Sequence, residues 1–277
     1  MRVFNYENLA RSKWDSEIIN LLVQIHEHKG KQELFLKRKP AVLDKLVEIA
    51  KIQSVEDSNK IEGIVTTAVR IKDLMNQKTT PRNRDEEEIL GYRDVLNIIH
   101  ESYEYIPISS NYILQLHRNL FKYSGKGIGG RYKNTQNSIV EKDIYGNAVE
   151  KFKPLSPYET PGAIEQVCDE LNRALDKEEV DSLLLIPIFI HDFLCIHPFN
   201  DGNGRMSRLL MNFIQYEAGL VPAIIKKENR AEYIHSLASS QDKDDPAEFL
   251  HFMFSHHIRN LSEQIEEYKT SLEMSGS

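Results

Sequence analysis

At 277 residues the chain is long enough for one large domain or two modest ones, and its 40% hydrophobic and 28% charged residues are ordinary for a globular protein. With 42 acidic against 35 basic residues, the net charge of −7 argues against broad nucleic-acid binding. No apolar run reaches membrane-spanning length and the first residues carry no secretory apolar segment, so no membrane partner is expected and the expected compartment is the cytoplasm.

Apolar positions at three- and four-residue spacing predict helices over 15–29 and 41–54, the second through Val42, Leu46, Ile49 and Ile52. A helix is expected over 85–105, with the acidic run Asp85–Glu88 at the positive end of its dipole. Another runs from Ser109-Ser110 to Leu120 with a serine N-cap. The pattern then breaks into a glycine-rich stretch with β-like pieces near 135–141 and 147–152, and Tyr145-Gly146-Asn147 between them predicts a short hairpin. Helices resume over 161–176, 182–196, 203–218 and 228–240, and from Pro246 to about 270. There is no internal repeat, and 77–84 is the best candidate for a seam. Cys168 and Cys195 match no metal spacing and read as buried free thiols. The sum is an all-α architecture with one small β-hairpin.

The segment His-Pro-Phe-Asn-Asp-Gly-Asn-Gly-Arg-Met-Ser-Arg, 197–208, asks for a chemical reason. A glycine-rich turn before an amphipathic helix, here with the stripe Met206, Leu209, Leu210 and Phe213, aims several N–H groups at one point. Gly202, Asn203 and Gly204 therefore predict an anion cradle. Arg205 and Arg208, three apart, are expected to reach the same anion, which suits a di- or triphosphate. Asp201 at the rim suits a divalent cation, and His197 suits a general base. A Walker A reading lacks its lysine and hydroxyl residue. A hydrolase metal set of His191, Asp192, His197 and Asp201 is disfavoured because Pro198 and the glycines interrupt the helical spacing.

The segment resembles the Fic motif, His-x-Phe-x-Asp/Glu-Gly-Asn-Gly-Arg-x-x-Arg, at every defined position: His197, Phe199, Asp201, Gly202, Asn203, Gly204, Arg205 and Arg208. The resemblance extends over about 108–250. It implies a Fic-type helical bundle with the hairpin as a flap over the active site, and transfer of AMP from ATP to a Ser, Thr or Tyr hydroxyl of a target protein. By position, His197 resembles the base, Asp201 the Mg²⁺ (or Mn²⁺) ligand, Gly202 to Arg205 the phosphate cradle, and Phe199 the apolar anchor of the loop. Flap residues Ile139, Val140, Glu141 and Lys142, with Tyr233 and Gln241 from the region after the motif, are expected around the nucleoside and target. Gln241 departs from the asparagine that often stands there. The charged C-terminal stretch is expected to leave no room for the winged-helix DNA-binding domain that many relatives add.

A second pattern lies upstream. Ser58 and Glu62 are four apart, on one face of a helix that Gly63 ends. Alone this reads as a solvated helix end, but Ser-x-x-x-Glu-Gly resembles the inhibitory motif of Fic proteins with an N-terminal inhibitory helix. The resemblance implies that Glu62 pairs with Arg208, displacing the γ-phosphate, with Ser58 steadying the pair. The expected division is 1–107 for the inhibitory region, 108–250 for the core and 251–277 for a C-terminal helix. Removal of AMP, a different phosphate-containing donor and a non-catalytic nucleotide-responsive module are the rival readings. The protein is itself a candidate target, and His256-His257, read as surface histidines, and the Tyr-rich N-terminal half leave a homodimer open.

Overall fold

The computed structural model describes residues 4–38, 40–142, 148–220 and 222–275, with side chains described outside 32, 34–46, 139–149, 151, 267–269 and 271–275. Among these residues there are ten α-helices: α1 Ser16–Arg38, α2 Pro40–Ile61, α3 Ala68–Met75, α4 Arg84–Ser102, α5 Ser110–Leu120, α6 Thr160–Lys177, α7 Ser182–Ile196, α8 Asn203–Glu217, α9 Arg230–Lys243 and α10 Ala247–Ser275. Two strands, β1 Ile139–Lys142 and β2 Ala148–Phe152, pair antiparallel, with Val140 opposite Glu150 and Lys142 opposite Ala148. The turn expected at Tyr145-Gly146-Asn147 lies outside the described residues.

The centre of the bundle is α7. Every residue from Leu183 to Ile196 is buried. A helix apolar all round has no solvent face to offer, so it must be wrapped. It packs against α6, α8 and α10, while α4 packs against α2, α5 and α8. One hydrophobic cluster runs from Phe4 and Tyr6 through the α7 leucines to Leu261. Cys168 and Cys195 are buried free thiols, and burial pushes the Cys168 thiol up to about 12.

Several helix starts follow their sequence cues. Ser109 Oγ accepts from Tyr112 N–H at the head of α5, and Asn83 Oδ1 from Glu86 N–H at the head of α4. Three features differ from the sequence expectation. The short α3 lies in a stretch given no element. It is tied down by Arg70, whose guanidinium donates to both Glu86 oxygens, and the Arg70 contact holds the Glu86 carboxyl down to about 2 against the cost of burial. Glu86 and Glu88, read as dipole acids, turn inward instead and are buried. His256 and His257 are not surface residues: both are buried on α10, where His256 Nε2 meets the Ile224 carbonyl at 2.7 Å and His257 Nδ1 meets Gln215 Nε2 at 3.2 Å. Among the described residues, no helix is long and apolar enough to cross a membrane.

Candidate active site

The site is built where α7 stops and α8 starts. His197 caps α7 in the left-handed region, φ 50 and ψ 63, with its N–H on the Phe193 carbonyl at 2.9 Å. The chain turns through 198–202 and re-enters a helix at Gly202, φ 84. A Cβ at Gly202 would meet Phe121 at 2.8 Å, so both backbone and packing demand glycine there.

Four side chains, those of Asn203, Phe199, His117 and Lys133, bolt this turn to the core. Asn203 is spent on Phe199, its Oδ1 accepting from Phe199 N–H at 2.9 Å and its Nδ2 donating to the Phe199 carbonyl at 2.7 Å. The Phe199 ring is fully buried and stacks on His117 at 3.6 Å, 3° from parallel. His117 Nδ1 accepts from Gly130 N–H at 3.0 Å, so Nε2 carries the proton and donates to the Asp201 carbonyl at 3.1 Å. Burial pushes its pKa down to about 4, which keeps it neutral. Lys133 spans the catalytic candidate: Nζ donates to Ile196 O and the backbone N–H to Pro198 O, both at 2.9 Å. Burial lowers the Lys133 ammonium to about 8. Neither His117 nor Lys133 carried a sequence signal, because each acts on a loop more than sixty residues away.

Arg205 and Arg208 are held apart by different partners. Each has its own carboxylate on opposite flanks of α8. Arg205 is buried beneath the turn, with Nη1 2.8 Å from Glu88 Oε2 of α4 and the guanidinium over the Phe121 ring at 5.1 Å. Glu88 also meets Lys126 at 3.1 Å and Arg84 at 2.9 Å. Burial works to raise its carboxyl, but the three cations, Arg205 first, hold it below the usual range. Arg208 faces α2: Nε donates to Ser58 Oγ at 2.8 Å, and Nη2 donates to Ser58 O at 3.0 Å and to Glu62 Oε1 at 2.7 Å. Ser58 thus touches the arginine and not the glutamate. Gly204 makes the approach possible, since a Cβ there would lie 2.4 Å from Glu62 Oε1 and 3.3 Å from Arg208 Nη1.

Two cavities meet at this point. One, about 220 Å³, is apolar, walled by Tyr233, Ile234 and Leu237 of α9, Leu194 of α7 and Phe152 of β2, with Gln241 and Asp242 at its edge. The other, about 320 Å³, is polar and lined by Asn200 to Arg205, Arg84 and Glu88. His197, Gly204 and Glu62 line both. A nucleotide with its base in the first and its phosphates in the second would run past all three.

His197 sits at the junction in a form ready to take a proton. Burial is the largest influence and Lys133 adds to it, pushing the imidazole down to about 4 against the opposing pull of the Leu194 carbonyl and Glu62. It is neutral at pH 7. Asp201 is 45% exposed on its side chain and meets Lys126 Nζ at 2.8 Å. Burial alone would raise its carboxyl, yet the Lys126 contacts outweigh that and lower it. Among the described residues no group of three or more metal-ligating side chains occurs. A lone exposed carboxylate still fits Mg²⁺, which takes one or two carboxylates and completes its shell with water and phosphate oxygens.

The structure therefore gathers His197, Asp201, Gly202, Asn203, Gly204, Arg205, Arg208, Tyr233, Gln241, Ser58 and Glu62 around one cleft. Tyr233 and Gln241 are both buried, and Gln241 Nε2 reaches Cys195 Sγ at 3.8 Å. The side chains of Ile139, Val140, Glu141 and Lys142 lie outside the described residues; only their strand is placed.

A family model described as Fic/DOC family matches residues 107–215. The protein adenylyltransferase fic-1 of Caenorhabditis elegans is 30% identical over 191 residues, 68% of this chain and 35% of that protein. The protein adenylyltransferase Fic of Drosophila erecta is 28% identical over 211 residues, 74% of this chain and 40% of that protein. The chain thus spans well under half the length of these curated relatives. The crystal structure of a Fic domain containing signaling protein from Bacteroides thetaiotaomicron superposes with a TM-score of 0.78 at 26% identity, covering 89% of this chain and 97% of that one.

Proposed function

We propose that this chain, whose residues 107–215 match the Fic/DOC family model, transfers AMP from ATP to a Ser, Thr or Tyr hydroxyl of a protein target, and that Glu62 restrains it. The observation that carries this reading is the paired cleft: an apolar chamber and a polar chamber joined at His197, Gly204 and Glu62.

In this reading the base rests against Tyr233, Ile234 and Leu237, and the phosphates enter the cradle from Gly202 to Arg205. The target hydroxyl attacks the α-phosphorus, its proton passes to the neutral His197, and pyrophosphate leaves. A P–O bond to the target replaces the P–O bond to pyrophosphate. No covalent enzyme intermediate is needed, so positioning and charge stabilisation supply most of the acceleration. Mg²⁺ or Mn²⁺ on Asp201 would offset phosphate charge, with Lys126 giving up its place. The strands 139–142 and 148–152 form the flap, aligning the target segment by main-chain pairing. We assign 1–107 to restraint, 108–250 to transfer and 251–277 to a bracing helix, and place the protein in the cytoplasm.

Restraint follows from the ion pair. Arg208 Nη2 is held by Glu62 and Ser58, so the guanidinium is withheld from the triphosphate, and a carboxylate at the junction repels the phosphates. A second reading comes from the same contact. Glu62 lines the cleft beside His197, which also suits activation of a water for removal of AMP from a modified target.

The test is label transfer from α-labelled ATP with Mg²⁺, for wild type, Glu62→Gly and Glu62→Gly/His197→Ala. Strong labelling of the protein itself or of added proteins by Glu62→Gly alone is expected. Loss of His197 should lower transfer by roughly 10² to 10⁴, the usual worth of a positioned base, while ATP binding persists. If no variant labels anything although ATP binds, the transferase reading fails. Release of AMP from pre-labelled protein by wild type but not by Glu62→Gly would favour removal. Light scattering on the same samples reads whether the chain pairs into a homodimer.

A further inference from the structure

The end of α2 carries Glu62, so whatever fixes that end fixes the brake. Ile64 N–H donates to Asn59 O and Gly63 N–H to Lys60 O, both at 3.0 Å, with Gly63 at φ 78. This pattern uses up the Asn59 and Lys60 carbonyls. Glu62 N–H is also taken, by Asn59 O at 3.1 Å. The Ile61 carbonyl, on the other side of the same peptide group, has no donor within the helix, since the next available N–H, that of Val65, donates to Asp85 instead.

The missing donor comes from a different helix. Arg230, the first residue of α9, donates from Nε to Ile61 O at 3.0 Å. Just before it, Lys227 N–H donates to Asp57 Oδ1, one turn back along α2, at 3.3 Å. A guanidinium at a helix C-terminus is also favoured by the dipole. Arg230 lines neither of the two chambers, whereas Tyr233, Ile234 and Leu237 on the same α9 form the apolar wall.

We propose that Arg230 is a positioning residue for the brake: its bond to the Ile61 carbonyl fixes the peptide from which Glu62 reaches Arg208. This rests on the restraining role given to Glu62 above. The glutamate is thereby held from two sides, by Arg208 through its carboxylate and by Arg230 through its backbone. Firm closure depends on α9 as well as on α2.

The test compares initial transfer rates and backbone amide exchange in Arg230→Met, Arg230→Lys, Glu62→Gly and Arg230→Met/Glu62→Gly. Arg230→Met should raise transfer on the order of tenfold, the usual worth of a hydrogen bond from a charged donor. Arg230→Lys, which keeps a cation able to reach the carbonyl, should stay near wild type. The double variant should match Glu62→Gly, because a residue that acts only through Glu62 has nothing left to release. Amides of residues 62–64 should exchange faster in Arg230→Met, with those of α8 and α10 unchanged. The proposal is overturned if Glu62→Gly labels strongly while Arg230→Met behaves as wild type. It is equally overturned if Arg230→Met lowers transfer in the Glu62→Gly background, which would make Arg230 part of the transfer site. Should Glu62→Gly label nothing, the transferase reading falls on its own, and unchanged exchange at 62–64 would still sink the clamp.

Discussion

The two flanks of α8 hold similar charges by different means. On the α4 flank, Arg205 and Glu88 are 2% and 4% exposed on their side chains, and Glu88 gathers Arg84 and Lys126 as well. On the α2 flank, Arg208 is 5% exposed but Glu62 is 38% exposed, at the mouth of the cleft. A fully buried pair cannot separate without stranding a charge in low dielectric, whereas a partner at the mouth exchanges its contact for water at small cost. The first pair is a fixture and the second is a latch. An arginine kept in reserve, three residues from one built into the floor, is what an enzyme able to be switched on requires.

That contrast is open to attack at several points. Glu88→Ala strands Arg205 and should destabilise the fold by about 3–5 kcal/mol, read as a lowered urea midpoint with an unchanged slope. A loss below about 1 kcal/mol would mean that Arg205 is not committed to α4. Ser58→Ala removes the acceptor of Arg208 Nε and should weaken the latch by about 1.5 kcal/mol, raising transfer roughly tenfold when Glu62 is present and leaving the Glu62→Gly rate unchanged. Glu62→Gln should change unfolding stability by less than about 1 kcal/mol, as expected for a partly exposed pair, although it changes activity most. The smallest effect lies in pH. Neutral His197 is the active form, and burial sets it near 4, so transfer by Glu62→Gly should hold down through pH 6 and fall only as pH drops toward 4. Glu62 opposes that lowering, so restoring it as a slow but measurable enzyme should move the acid limb to higher pH. An acid limb near 6.5 in both would show that His197 is solvated in the working state.

Much of this was readable beforehand, for identifiable reasons. The limits of α7 and the serine cap of α5 were legible because a continuous apolar run and an N-cap are local signals. The site turn was legible because glycine at 202 and 204 has few other uses. The partners of the turn were not. Glu88 looked like an ordinary dipole acid, and only the tertiary packing of α4 on α8 turns it toward Arg205. His117 and Lys133 gave no sequence signal, because their bonds go to backbone carbonyls that carry no side-chain identity. The reading of His256-His257 as surface residues failed for a related reason: a histidine pair says nothing of burial, and here Gln215 and the Ile224 carbonyl each engage one ring nitrogen inside. The facing of the two arginines was not legible from spacing: three residues along a helix is about 300° of rotation, and tertiary packing sets Arg205 against Glu88 of α4 and Arg208 against Glu62 of α2.

Gly204 gives the latch a mutational consequence. A Cβ there would stand 2.4 Å from Glu62 Oε1, the far end of a flexible and partly exposed side chain, so a larger residue would push the carboxylate aside. Every amino acid reachable from a glycine codon by one base change carries that extra carbon. Any point substitution at this position therefore presses directly on the contact with Arg208. One added methyl thus touches restraint and phosphate cradle at the same point, since Gly204 lines both chambers.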